Sequence, residues 1–262
     1  MKTGRNLILA GLLCLAALAF AGAPAEAHFG VVIPSNDMIL DKGGAAVAID
    51  FAFAHPMEAQ GMDLERPEAC VLMGNGKSED LLPALKENTL MQHKAYRAEC
   101  RIARPGVYAA VMTPKPYWEP AEDCYIIHCT KAYIAAFGAE DGWQKPLGLK
   151  TEIVPLTRPF GNYAGNVFQG QVLVDGKAAA GCSVEVEFYN KDGKYKAPND
   201  YMVTQTVRTD PNGVFTFAVP FAGWWGFAAL TTSAEKMDFK GEQKDVELGA
   251  VLWIRFLDPV RK

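Results

Sequence analysis

The sequence predicts an all-β protein made of two antiparallel β-sandwiches, immunoglobulin-like or transthyretin-like, behind a removable leader. Three observations carry this expectation. Apolar residues recur on alternate positions through most of the chain, the period of a strand that offers one face to a core. The runs are short and separated by turn residues such as Asp175-Gly176 and Asp210-Pro211-Asn212-Gly213, which supply the backbone conformations that tight connections need. The best helix candidate, Glu79 to Lys86, is short and interrupted by Pro83, whose ring removes a helical donor.

Residues 1–27 read as a signal peptide: Lys2 and Arg5 precede an apolar stretch from Leu7 to Phe20, and Ala25-Glu26-Ala27 is a small-x-small cleavage site. Leu12 and Leu13 stand where a lipoprotein signal wants small residues before Cys14. The expected location is therefore exported or periplasmic. No later apolar stretch reaches the roughly 20 residues of a membrane span, so none is expected after cleavage. Val47 to Phe53 and Val107 to Met112 read as strands, each after a Gly-containing turn, and Tyr125 to Phe137 alternates as a strand does. Thr151 to Leu156 runs into Arg158-Pro159-Phe160-Gly161-Asn162, a joint that separates an N-terminal sandwich over residues 28–160 from a C-terminal one over 161–262. Beyond it, Gly170 to Lys177 is a strand with an Asp-Gly turn, Ser183 to Tyr189 and Val203 to Arg208 alternate, Val214 to Val219 follows a turn, and Val246 to Phe256 is the final strand.

The net charge of −4 argues against a nucleic-acid partner, which would require a basic face, and slightly favours cations. The chain has no Gly-rich phosphate loop, no HExxH and no Gly-x-Ser-x-Gly elbow, so it reads as a binding protein rather than an enzyme. Trp224-Trp225-Gly226-Phe227 offers a carbohydrate-stacking surface, but aromatic residues beside a sandwich strand more often fill its core. After cleavage five cysteines remain, Cys70, Cys100, Cys124, Cys129 and Cys182. An oxidising compartment makes disulfides their default fate, with Cys124–Cys129 and Cys70–Cys100 the expected pairs. Cys124 to Cys129, with His128 between them, is also a candidate soft-metal site, although strand alternation does not aim both sulfurs and the imidazole at one point.

The cleavage site makes His28 the first residue of the mature chain. A free N-terminal histidine offers a metal its α-amine and imidazole together, a chelating pair suited to Ni²⁺, Co²⁺, Cu²⁺ or Zn²⁺. The chain contains four histidines, His28, His55, His93 and His128. His55 ends a strand at Pro56, and His128 lies within another. A sandwich can bring His28, His55 and His128 together, giving about four nitrogen donors, which suit Ni²⁺ or Cu²⁺ better than Mg²⁺ or Ca²⁺. Lys94 beside His93 repels a cation, so His93 is excluded. Glu58, Glu122 and Asp123 are candidate supporting groups.

The runs Tyr117-Trp118-Glu119-Pro120-Ala121-Glu122-Asp123, Ile126-Ile127-His128, Lys131, Gly142-Trp143, Thr151 to Thr157, Gly165 to Gly170 and Gly223 to Phe227 resemble an exported bacterial family. It is described as a periplasmic component of nickel or cobalt uptake systems, similar to the NikK-like accessory proteins of energy-coupling-factor transporters. Ala27-His28-Phe29 and His55-Pro56 match its early His elements. The resemblance implies β-sandwich domains, a divalent metal ion, Ni²⁺ or Co²⁺ foremost, and a membrane metal transporter as partner. Two other classes stay open: a copper histidine-brace oxidative enzyme, and a structural or adhesive sandwich module whose histidines never meet.

Overall fold

The computed structural model describes residues 28–41 and 45–261. The leader and its cleavage site lie outside the described residues. From the N-terminus run β1 (Phe29–Pro34), β2 (Met38–Ile39), β3 (Ala45–His55), β4 (Gln60–Met62), β5 (Ala69–Gly74), β6 (Lys77–Asp80), β7 (Lys86–Leu90), β8 (His93–Ile102), β9 (Gly106–Thr113), β10 (Tyr117–Glu119) and β11 (Cys124–Ala136). They are followed by β12 (Thr151–Pro155), β13 (Asn162–Tyr163), β14 (Val167–Val174), β15 (Lys177–Ala178), β16 (Ser183–Phe188), β17 (Gln205–Arg208), β18 (Val214–Ala218), β19 (Gly223–Thr232), β20 (Met237–Phe239), β21 (Glu242–Lys244) and β22 (Val246–Leu257). The protein is all-β. No helix among the described residues is long and apolar enough to cross a membrane.

The helix expected over Glu79 to Lys86 does not form. Its residues are divided among the end of β6, a 3-10 turn at Leu82–Ala84 and the start of β7. Asp80 Oδ1 accepts the Leu82 N–H at 2.9 Å, and Pro83 offers no donor to continue a helix. The Asp175-Gly176 turn forms as expected: both residues have positive φ, 49° and 73°, and they join β14 to β15.

Two smaller sheets lie on opposite faces of a large one. The central sheet has 11 strands, with the path β17-β16-β19-β22-β11-β9-β5-β6. It crosses the joint between the two halves through parallel pairing of β11 with β22, Tyr125 opposite Val246 through Ala132 opposite Trp253. One face packs on the sheet ordered β1-β3-β8-β7 and the other on the sheet of β12, β14, β15 and β18. Alternate residues of one strand therefore enter two different cores. On β22, Val251 and Trp253 pack with Phe29 and Phe51, while Ala250, Leu252 and Ile254 pack with Phe168 and Phe215. A strand buried on both faces must be apolar at nearly every position, which explains the unbroken Gly249 to Ile254 run. Trp253 is fully buried, and its indole N–H donates to Gly30 O at 2.7 Å, tying β1 to the central sheet.

Candidate metal centre

His28 immediately precedes β1, which pairs antiparallel with the end of β3, Phe29 opposite Ala54 and Gly30 opposite Phe53. Continuing that register puts His28 across from His55. Positions two apart share a face, so His28, Phe53 and His55 lie on one side. The imidazoles of His28 and His55 are 4.8 Å apart between centroids, and His28 stacks on Phe53 at 5.7 Å.

His128 reaches the same place from the central sheet. It lies on β11 opposite Gly249 of β22, and a Cβ at Gly249 would stand 2.2 Å from His128 Cδ2. The imidazole thus occupies space that only a glycine leaves open. Phe53 meets its ring in a T-shaped contact at 5.8 Å between centroids, so Phe53 touches both His28 and His128. All three histidines nominated from the sequence are buried, with at most 8% exposure.

Two carboxylates that sequence reasoning did not nominate hold the imidazoles. Glu119, on β10, places Oε2 3.1 Å from His28 Nε2, while its Oε1 accepts the Ala121 N–H at 2.9 Å. Glu247, on β22, places Oε1 3.2 Å from His128 Nε2. His128 Nδ1 is buried without a hydrogen-bond partner. Burial, and then the neighbouring His55 and His128, pull the His28 pKa below its usual value against the opposite pull of Glu119 and Glu247. This shift favours the neutral form of His28, the state in which an imidazole donates a lone pair.

The donor chemistry fits a borderline divalent ion. Each of two histidines has Nε2 on a carboxylate, the arrangement in which an outer acceptor fixes the ring that ligates through its other nitrogen. Among the described residues no group of three or more His, Cys, Asp or Glu side chains forms a ready-made metal cage. A metal at this place would require the imidazoles to reorient, or a donor that is not a side chain, such as an α-amine on His28.

The other candidates are dispersed. Glu58 is exposed, and Asp123 pairs with Lys244 at 2.9 Å. Glu122 does face the cluster: burial, then Glu247 and Glu119, raise its pKa while His128 lowers it. His93 is exposed and lies 3.2 Å from Asp63. The expected disulfides are absent, because all five described cysteines are free. Cys124 and Cys129 lie five positions apart on β11, roughly 16 Å along a strand and on opposite faces, beyond the about 4.4–6.8 Å a disulfide spans. That same alternation separates Cys129 from His128 and removes the soft-metal arrangement. Cys70 and Cys100 lie on β5 and β8, in different sheets rather than on neighbouring strands, and both thiols are free within the same core. Trp225 and Phe227 fill the core, and Trp224 is half-buried.

Two further buried carboxylates belong to the central sheet and its partners. Lys131, on β11, donates to Glu152 Oε2 at 2.8 Å with both residues almost fully buried, and Glu152 also accepts the Leu147 and Gly148 N–H groups. Glu187, on β16, accepts the Met57 N–H at 2.9 Å and the Thr204 hydroxyl. It thereby anchors the loop that follows His55. Burial pushes Glu187 and its neighbour Glu185 each up to about 7.

Solved structures of low similarity include trypsin-activated alpha-2-macroglobulin from Escherichia coli, 9% identical, TM-score 0.27, covering 90% of this chain and 16% of that one. The adhesin InvE of Yersinia pseudotuberculosis is 10% identical, TM-score 0.23, covering 84% of this chain and 58% of that one. The chain thus spans well under two thirds of either. No curated protein matches it. Residues 25–233 match the family described as a domain of unknown function, DUF4198, and the chain belongs to that family.

Proposed function

We propose that the mature protein is an exported binding protein that captures a divalent transition metal, Ni²⁺ or Co²⁺ foremost, and passes it to a membrane uptake system. The observation that supports this reading is the convergence of His28, His55 and His128 into one buried cluster with carboxylates on two of the Nε2 atoms. The metal is cargo. His28 contributes its amine and Nδ1, and His55 and His128 one imidazole nitrogen each. Glu119 and Glu247 orient the rings, and Phe53 packs against those of His28 and His128. Ligand strength ranks Cu²⁺ above Ni²⁺, so metal supply or geometry confers any nickel preference.

Isothermal titration of Ni²⁺, Co²⁺, Cu²⁺ and Zn²⁺ into protein processed to begin at His28 tests this, beside His55→Ala, His128→Ala and a form with a residue retained before His28. One stoichiometric site, lost in both variants and weakened by the retained residue, is the expected result. No stoichiometric binding by the processed protein would reduce the cluster to a structural device. Peroxide production by the copper form under ascorbate would instead favour oxidative copper chemistry.

A further inference from the structure

A cavity of about 310 Å³ opens beside His128, at the small end of the roughly 300–1,000 Å³ range of small-ligand sites. Aromatic side chains from three strands wall it: Phe53 of β3, Tyr117 and Trp118 of β10, and Tyr125 of β11. These rings hold one another in place. Trp118 stacks on Phe239 at 3.7 Å and 10° and meets Tyr125 edge-on at 5.1 Å, Tyr117 contacts Phe53 at 5.3 Å, and the Tyr125 hydroxyl donates to Asp238 O at 3.1 Å. A wall held in this way is preformed for a ligand. The charged lining residues are Asp63, Glu65 and Lys115. Lys115 pairs with Glu65 at 3.5 Å, which leaves the charge of Asp63 over. The Lys94 N–H, and then the His93 imidazole, hold the Asp63 carboxyl below its usual pKa, in its ionised form. Glu247 lies 3.2 Å from His128, and Glu119 shares β10 with Tyr117 and Trp118, so the surroundings are acidic as well.

We propose that this cavity binds the head of a quaternary ammonium compound of about the size of choline. Two properties of the lining set the sign of the ligand: aromatic rings attract a cation through their quadrupole, and the uncompensated carboxylate favours the same charge. An anion has no partner here, because the single lysine is already paired. The kind of cation follows from hydrogen bonding. A primary ammonium brings three N–H donors, each costly to bury without an acceptor. The carboxylates that could accept them, Asp63 and Glu65, are exposed and already engaged with His93, Lys94 and Lys115. A quaternary ammonium has no N–H and spreads its charge over apolar methyl groups, so it packs against rings and leaves no donor unmet. Its binding requires no metal, and the proposal stands or falls apart from the metal-binding reading.

Titration calorimetry of EDTA-treated processed protein with choline, and with dimethylbutanol as its neutral carbon isostere, tests the proposal. The expected result is one choline per protein, with the isostere at least about ten-fold weaker because it lacks the charge that the rings attract. Trp118→Ala should lose choline binding. Asp63 and Lys115 are exposed, so Asp63→Asn and Lys115→Gln probe the cavity with the fold intact. The first should weaken choline binding, and the second, which removes an opposing charge, should tighten it. Flotation with phosphatidylcholine vesicles separates two sources of this head group: co-flotation that Trp118→Ala abolishes assigns it to a lipid, and calorimetric binding without co-flotation assigns it to a free small molecule. Absence of choline binding, equal binding of the isostere, or weaker binding in Lys115→Gln would overturn the proposal.

Discussion

Nε2 of His28 lies 3.1 Å from Oε2 of Glu119 in a buried contact, which leaves Nδ1, the nitrogen that can close a chelate ring with an α-amine. The backbone N–H of Ala121 fixes the other carboxylate oxygen, so Glu119 is itself held in place. Glu119→Gln keeps the shape and removes the charge. Loss of such an outer carboxylate typically weakens a metal about 10–100-fold, and titration calorimetry with Ni²⁺ should show a fall of this size with an unchanged fold. Full affinity in the variant would leave Glu119 with no part in the site.

Gly249 is the seat of the His128 ring, and an added Cβ would meet that ring at 2.2 Å. Gly249→Ala should cost about 1–3 kcal/mol through overpacking and should also displace His128. The urea midpoint and the metal titration are expected to fall together. A variant as stable as the parent would mean that the ring moves aside freely.

The buried Lys131–Glu152 pair joins β11 to β12 and caps the loop at Leu147 and Gly148. Lys131→Ala strands a buried carboxylate, which typically costs about 3–5 kcal/mol. Denaturant unfolding should show that loss, and Lys131→Met with Glu152→Leu should recover much of it. A single variant close to parental stability would show that water reaches Glu152.

Two opposite pH dependences are built into the core. The His28 pKa is lowered from 6.5, so below about 6.5 the unfolded chain binds more protons and this contribution to stability falls as pH drops. Glu185 and Glu187 are raised from 4.5 to about 7. Their contribution is complete below 4.5 and is lost as pH rises through about 7. Urea midpoints should therefore decline between pH 6 and 8 in the parent and stay flatter in Glu185→Gln/Glu187→Gln. Superimposable profiles would show that neither carboxyl is shifted.

All five described thiols are free, and burial pushes Cys70 up to about 12 and Cys100 and Cys182 to about 11. Neutral buried thiols react slowly. Intact mass of the unreduced processed protein should match five free cysteines, with the buried ones labelled by a thiol reagent only on unfolding. A deficit of two or four mass units would reveal disulfides.

Alternation and turn chemistry are local properties of a chain, and so the sequence alone sufficed for the all-β class, the Asp175-Gly176 hairpin and most strands. It also singled out His28, His55 and His128 by scarcity and position. The partners of these histidines were not legible. Glu247 reaches His128 through parallel pairing of β11 with β22, strands more than a hundred residues apart, and nothing in a one-dimensional pattern encodes which distant strand becomes a neighbour. The same long-range pairing gave the central sheet two buried faces and carried it across the joint between the halves. Among the cysteines, alternation along β11 divides Cys124 from Cys129, a local property, whereas only the tertiary structure put Cys70 and Cys100 on strands of different sheets. Local periodicity determined the elements, whereas packing of the large apolar side chains, Trp253 against Phe29 among them, decided which polar residues those elements enclose together.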